Sequence, residues 1–167
     1  MTSNTLTRIR NFALLALVQV LIFSQIHLFG YATACVYLIF ILKLPRHTSP
    51  NELLIWSFLF GLTVDIFGNT PGINAAAATA MGFARNMILA IFTHKGLPDD
   101  FVPGVRSIKW GGYAVYSAVC LAIFYSVLFF LELFTAGSVA ALFIGVTSST
   151  LLTMLFAIVI EFFSYRK

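Results

Sequence analysis

The stretch FGLTVDIFGNTPGINAAAATAMGFAR, residues 60–85, decides the fold. It joins two apolar runs through Gly68-Asn69-Thr70-Pro71-Gly72, and it places an aspartate (Asp65) and an arginine (Arg85) inside those runs. A turn this short between apolar runs reads as two helices packed as neighbours. The question is what two charges do in such surroundings.

Composition sets the class. The chain has 167 residues, of which 60% are hydrophobic and 10% charged, with eighteen phenylalanines and a mean hydropathy of +0.96. A soluble domain of this size could not keep such a surface wet. A bilayer crossing takes about 20 mostly apolar residues. Six candidates are present, at 11–28, 30–44, 53–67, 74–92, 111–133 and 139–163. The second and third are short, so the bilayer thins there or the flanks snorkel. No internal repeat or low-complexity tail appears. The expectation is one all-α domain over 1–167, a polytopic membrane protein built as a compact bundle of six transmembrane helices.

Lysines and arginines orient it. Arg8 and Arg10 precede the first span, and Lys43 and Arg46 fall between the second and third. Lys95, Arg106 and Lys109 lie between the fourth and fifth, and Arg166 and Lys167 end the chain. The alternate connections around 27–30, 68–72 and 132–138 carry none. Every basic residue except Arg85 thus falls on one side, which the positive-inside rule makes the cytoplasm, with both termini inside. The net charge of +4 follows from this topology and is no nucleic-acid footprint.

The basic lead TRIR before the first span resembles a signal peptide, but the apolar run is long, contains Gln19, Ser24 and Gln25, and lacks a small-x-small site. A retained anchor is expected. Cys35 and Cys120 sit in apolar spans and read as core packing, with no CxxC pair or disulfide framework. The loop THKGLPDDFVPGVRSIK, 93–109, is broken by prolines and glycines. It reads as a solvated connector or a docking segment, whose bases face lipid headgroups beside an interfacial Trp110.

The last span carries small residues at every fourth position: Gly137, Ala141, Gly145, Ser149, Thr153 and Ala157. Small residues let helix backbones approach where lipid gives no hydrophobic drive for association. A four-residue step overshoots a full turn by about 40°, so this ladder spirals past more than one neighbour. The fourth span has similar rows, Ala76–Ala80–Ala84 and Ala78–Gly82. Both packing within the bundle and contact with another membrane protein fit these rows.

In the third span Ser57, Gly61, Asp65 and Gly68 share one helix face. A lipid-facing carboxylate is costly, so this face looks inward or towards a protein partner. Thr70-Pro71 has the form of a helix start, a hydroxyl cap followed by proline at the first position. The free N–H groups of the fourth helix then lie close to Asp65. Three roles stay open for Asp65: a clamp on the turn, an assembly contact, and a ligand or proton site. A direct Asp65–Arg85 bridge would span about 12 Å of depth by the helical rise, which disfavours it. Arg85 lies within about 10 Å of the basic end, near enough to snorkel to the interface.

No constellation supports catalysis. His27, His47 and His94 lack metal-ligand spacing, no phosphate-binding GxxxxGK[ST] loop exists, and the embedded serines lack a neighbouring base. We expect no enzyme, cofactor or metal.

The run GLTVDIFGNTPGINAAA, residues 61–77, closely resembles the signature of the bacterial rod shape-determining MreD family. In that signature a glycine-containing span ends in an aspartate, then a Pro-Gly turn and a small-residue helix. Length, span count and a short second span ending in Leu-Pro agree more loosely. The loop after the fourth span aligns with nothing in the family.

The resemblance implies a non-enzymatic component of the cell-elongation machinery in the bacterial inner membrane. It implies the bitopic protein MreC as partner, with the actin-like MreB, the glycosyltransferase RodA and a penicillin-binding transpeptidase in one complex. That complex directs side-wall peptidoglycan synthesis and rod shape. The family's bundle is similar to the substrate-binding subunits of vitamin transporters, a fold-level likeness that carries no function across. The assembly reading makes Gly61, Asp65, Asn69, Thr70, Pro71, Gly72, Arg85 and Gly145 the contact or structural candidates. The alternative is a substrate-binding subunit of a membrane transporter that takes a small, vitamin-like molecule, with Asp65, Asn69, Asn74 and Gln25 as its few polar groups.

Overall fold

The apolar runs after residue 50 become four long helices, and each boundary has a local cause. The computed structural model describes residues 10, 12, 14–19, 27–28, 32–33, 35–70, 72–93, 101–136 and 139–165. Residues 14–19 are helical (α1), followed by a two-residue antiparallel ladder of β1 (His27–Leu28) and β2 (Ala32–Thr33). A five-residue helix, α2 (Leu38–Leu42), comes next. The long helices are α3 (Pro50–Gly68), α4 (Ile73–Phe92), α5 (Val105–Ala136) and α6 (Val139–Tyr165). Among the described residues these four are long and apolar enough to cross a membrane. The chain is an all-α membrane bundle.

α3 starts three residues before the apolar run because Ser49 caps it. The Ser49 hydroxyl accepts from the Glu52 N–H at 3.2 Å, and Pro50 takes the first helical position. Its 19 residues give about 28 Å of rise, so the expected shortness of this span disappears. It ends where Asn69 turns left-handed (φ 53°).

α5 is bent where Lys109 adopts φ 60° and ψ 168°, a region nearly restricted to glycine. The bend divides the turn at 105–108 from the long apolar segment that follows.

The second expected span, 30–44, is not a continuous helix. It holds β2 and then α2, and every side chain from Cys35 to Leu42 is buried, with Tyr37, Leu38, Ile41 and Leu42 wholly so. A run of about 15 apolar residues suits a short span and a protein-covered segment equally well, and here protein covers it. Tyr37 stacks on Phe60 at 5.5 Å, Phe40 packs on Phe60 and Trp56, and Phe12 joins them, so an aromatic cluster seats α2 against α3. Pro45 prevents its continuation. Half of the first expected span, 11–28, lies outside the described residues.

Large apolar side chains point away from the bundle, among them Ile66, Phe83, Ile91 and Phe143, the third of these 78% exposed. On a water-soluble protein such patches would drive association; around a membrane bundle they meet acyl chains.

Candidate functional site

Asp65 sits on the buried face of α3, one turn before its end, 4% exposed. Close approach of α4 makes that position possible. A Cβ on Gly61 would lie 2.4 Å from both the Ala75 Cα and the Asn74 carbonyl oxygen, and one on Gly82 would lie 2.4 Å from the Ser57 hydroxyl. Ser57, Gly61 and Asp65 therefore face α4 as one stripe, while Gly68, at the helix end, is exposed.

The carboxylate then takes four donors. Thr70 Oγ1 donates to Oδ1 at 2.6 Å, and the Asn74 backbone N–H and side-chain amide each donate to it at 3.0 Å. The Ala75 N–H donates to Oδ2 at 2.8 Å. Asn74 and Ala75 are the second and third residues of α4, the positions whose N–H groups an N-cap ordinarily satisfies. Asp65 thus caps a helix from its neighbour.

The expected Thr70-Pro71 helix start is corrected accordingly. α4 begins at Ile73 with Gly72 as cap (φ 79°, no side-chain bond), and the Thr70 hydroxyl serves the carboxylate. A carboxylate reaches two N–H groups at once and complements the helix dipole, which a hydroxyl at 70 does not. Asn69 is exposed, and Pro71 lies outside the described residues.

Arg85 does not snorkel. Its side chain is 0% exposed, and no ion pair joins it to Asp65. Its Nη2 donates to the carbonyl oxygens of Leu42 (3.2 Å) and Leu44, its Nε to the Tyr116 hydroxyl (3.0 Å), and its Nη1 to Asn86 Oδ1 (3.0 Å). Tyr116 in turn donates to the Leu42 oxygen at 3.1 Å. α2 ends inside the bundle, so its last carbonyls lack water, and a planar guanidinium fork supplies the donors instead. The other end of α2 is held in the same way. The Cys35 N–H donates to the hydroxyls of Tyr125 (3.1 Å) and Thr153 (3.3 Å), and the Val36 N–H to Gln19 Oε1 (2.8 Å).

Glu161 is the residue the sequence reading missed. It is 5% exposed on α6. Its Oε1 accepts from the Val105 N–H at 2.9 Å, and its Oε2 pairs with Lys43 Nζ at 2.6 Å. A Cβ on Gly104 would lie 2.7 Å from Oε1, so glycine there admits the carboxylate. A signal existed, because Glu161 is the next step of the four-residue ladder after Ala157.

The ladder does turn past successive neighbours. Gly145 packs on Phe129 of α5, with a Cβ there only 2.8 Å from the ring. Thr153 meets Tyr125 and Cys35, Ala157 meets Val36 and Ile39, and Glu161 meets Lys43. Gly145 is thereby an internal contact. Of the rows on α4, Ala78 and Gly82 are buried against the bundle while Ala76 is exposed.

Cys35 and Cys120 are buried free thiols. Among the described residues no three His, Cys, Asp or Glu side chains are grouped to hold a metal ion. The polar interior is organised to terminate helices within a membrane bundle. No protein-family model, no curated protein and no solved structure matches the chain.

Proposed function

We propose that this chain is a non-enzymatic assembly component of the cell-elongation machinery in a bacterial inner membrane, with both termini cytoplasmic. In this reading it binds MreC, acts with RodA, a penicillin-binding transpeptidase and MreB, and helps direct side-wall peptidoglycan synthesis. The resemblance of residues 61–77 to the MreD signature motivates it. The observation that carries it is the occupation of Asp65. Both carboxylate oxygens are engaged by donors from residues 70–75, which supports a fixed turn over an exchanging site. A preorganised helix–turn–helix end suits protein docking, because little freedom is lost on binding.

The test is purification of the tagged chain from its native membrane, with mass spectrometry of every protein and small molecule retained. Stoichiometric MreC is expected, reduced in Asp65→Ala. Absence of MreC and the wall synthases, or equal recovery with Asp65→Ala, would count against the reading.

One observation favours a second reading, a transporter's small-molecule-binding subunit. α2 is a short helix broken off inside the bundle, and transport sites are often built at such breaks. Recovery of a bound small molecule together with an ATPase module in the same experiment would select it.

A further inference from the structure

Residues 101–108, where the chain enters α5, are bonded among themselves. The Ser107 and Ile108 N–H groups both donate to the Gly104 oxygen at 3.0 Å, and the Ser107 hydroxyl donates to the Val102 oxygen at 2.8 Å. These bonds span 102–108, so the segment holds its own shape and moves as one body. Directly after it stands Lys109, at φ 60° and ψ 168°. A side chain other than glycine is strained there, and persists only while its surroundings enforce the conformation. A strained residue between two helical pieces is a natural place for a rotation to be absorbed.

The enforcement comes from across the bundle. The Glu161 carboxylate accepts from the Val105 N–H at 2.9 Å and pairs with Lys43 at 2.6 Å, and Gly104 lies against it. The Arg46 N–H donates to the Phe101 oxygen at 3.1 Å. Phe101, Val105 and Ile108 are buried in the core cluster. The seam between the segment and the bundle is not packed shut. A cleft of about 400 Å³ runs along it, lined by Lys43, Pro103, Ser107 and Glu161 among others. Lys43 is 25% exposed, and an ion pair bordering solvent opens more readily than one in a dry core.

We infer that residues 101–108 form a hinged flap on this end of the bundle, latched by Glu161 and pivoting at Lys109. Opening withdraws the Val105 N–H from Glu161 and the Phe101 oxygen from Arg46. It lets Lys109 relax, and it frees the connector 43–46 that follows α2. Closing restores these ties and pays for the strain at the hinge. The inference is independent of the elongation reading.

The test is hydrogen exchange of the full chain in detergent, read by mass spectrometry. Residues 105–108 are expected to exchange together, at least about tenfold faster than 113–128 of the same helix. Glu161→Gln keeps an oxygen for the Val105 N–H but drops the charge that pairs with Lys43, and should speed exchange at 105–108 about tenfold. Lys43→Gln breaks the same pair from its exposed side and should act alike. Lys109→Gly makes the closed hinge easier to hold and should slow exchange there about threefold. Lys109→Gln loses the charge but keeps the bend, and should change it less than about twofold. Equal wild-type rates at 105–108 and 113–128 would mean that the segment opens only with the whole bundle, and would overturn the flap. An equal rise over 50–68 in both Glu161→Gln and Lys43→Gln would do the same, as a global loss of stability. Lys109→Gly behaving like Lys109→Gln would overturn the hinge, because the backbone at 109 would then keep its conformation during opening.

Discussion

The two buried carboxylates among the described residues stand near opposite ends of the bundle and are built in opposite ways. Asp65 takes its donors from residues 70, 74 and 75, all within ten positions along the chain. Glu161 takes its partners from residues 43 and 105, drawn from two other parts of the fold. The first fixes one turn between two helices. The second holds the end of α2, the start of α5 and the end of α6 together. A local clamp forms as soon as its two helices meet; a distributed one forms only when the whole bundle has closed.

Removing each acid separates these designs. Asp65→Ala leaves two buried N–H groups without an acceptor and should destabilise the chain by about 4 kcal/mol. Thermal unfolding followed by tryptophan fluorescence in detergent measures this, and hydrogen exchange should speed mainly at the start of α4. Glu161→Ala should cost about 3 kcal/mol by the same measurement, with faster exchange spread over residues 43–46, 105–108 and the end of α6. If its exchange effect stayed within α6, the distinction would fail.

Gly61→Ala probes why the local clamp can form. Its methyl would meet the Asn74–Ala75 backbone, which yields less readily than a side chain, so about 2 kcal/mol is expected. The same substitution at Gly72 meets nothing within 4 Å but must hold φ 79°, which should cost about 1 kcal/mol. Lys109→Gly is the smallest effect and has the opposite sign. It relieves the bend in α5 and should stabilise by less than about 1 kcal/mol.

The same contrast explains what could be read from the sequence. Four of the spans and the Asp65 turn were legible, because run length, turn residues and the four-residue spacing are local signals. The shared face of Ser57, Gly61 and Asp65 followed from helical spacing, and the cost of a lipid-facing carboxylate turned it inward or towards a partner. The cap on α4 was misassigned to Thr70 because its acceptor comes from the preceding helix. The fate of 30–44 was not legible, since whether an apolar run meets lipid or protein depends on its neighbours. Arg85 was misread for the same reason: its acceptors at Leu42 and Leu44 exist only because α2 stops inside the bundle. Glu161 was overlooked because its partners are remote, although the ladder pointed to it.

The short buried helix α2 has a consequence for biogenesis. Five residues of helix cannot partition into a bilayer as an independent insertion unit. Its end groups are satisfied by Gln19, Arg85, Tyr116, Tyr125 and Thr153, and the last of these emerges from the ribosome over a hundred residues after Cys35 (118 apart). Until α6 is synthesised, the segment has no low-energy resting place in the membrane. α2 must therefore settle late, after the carboxy-terminal helices that supply its end partners, and for this segment the order of assembly runs against the order of synthesis.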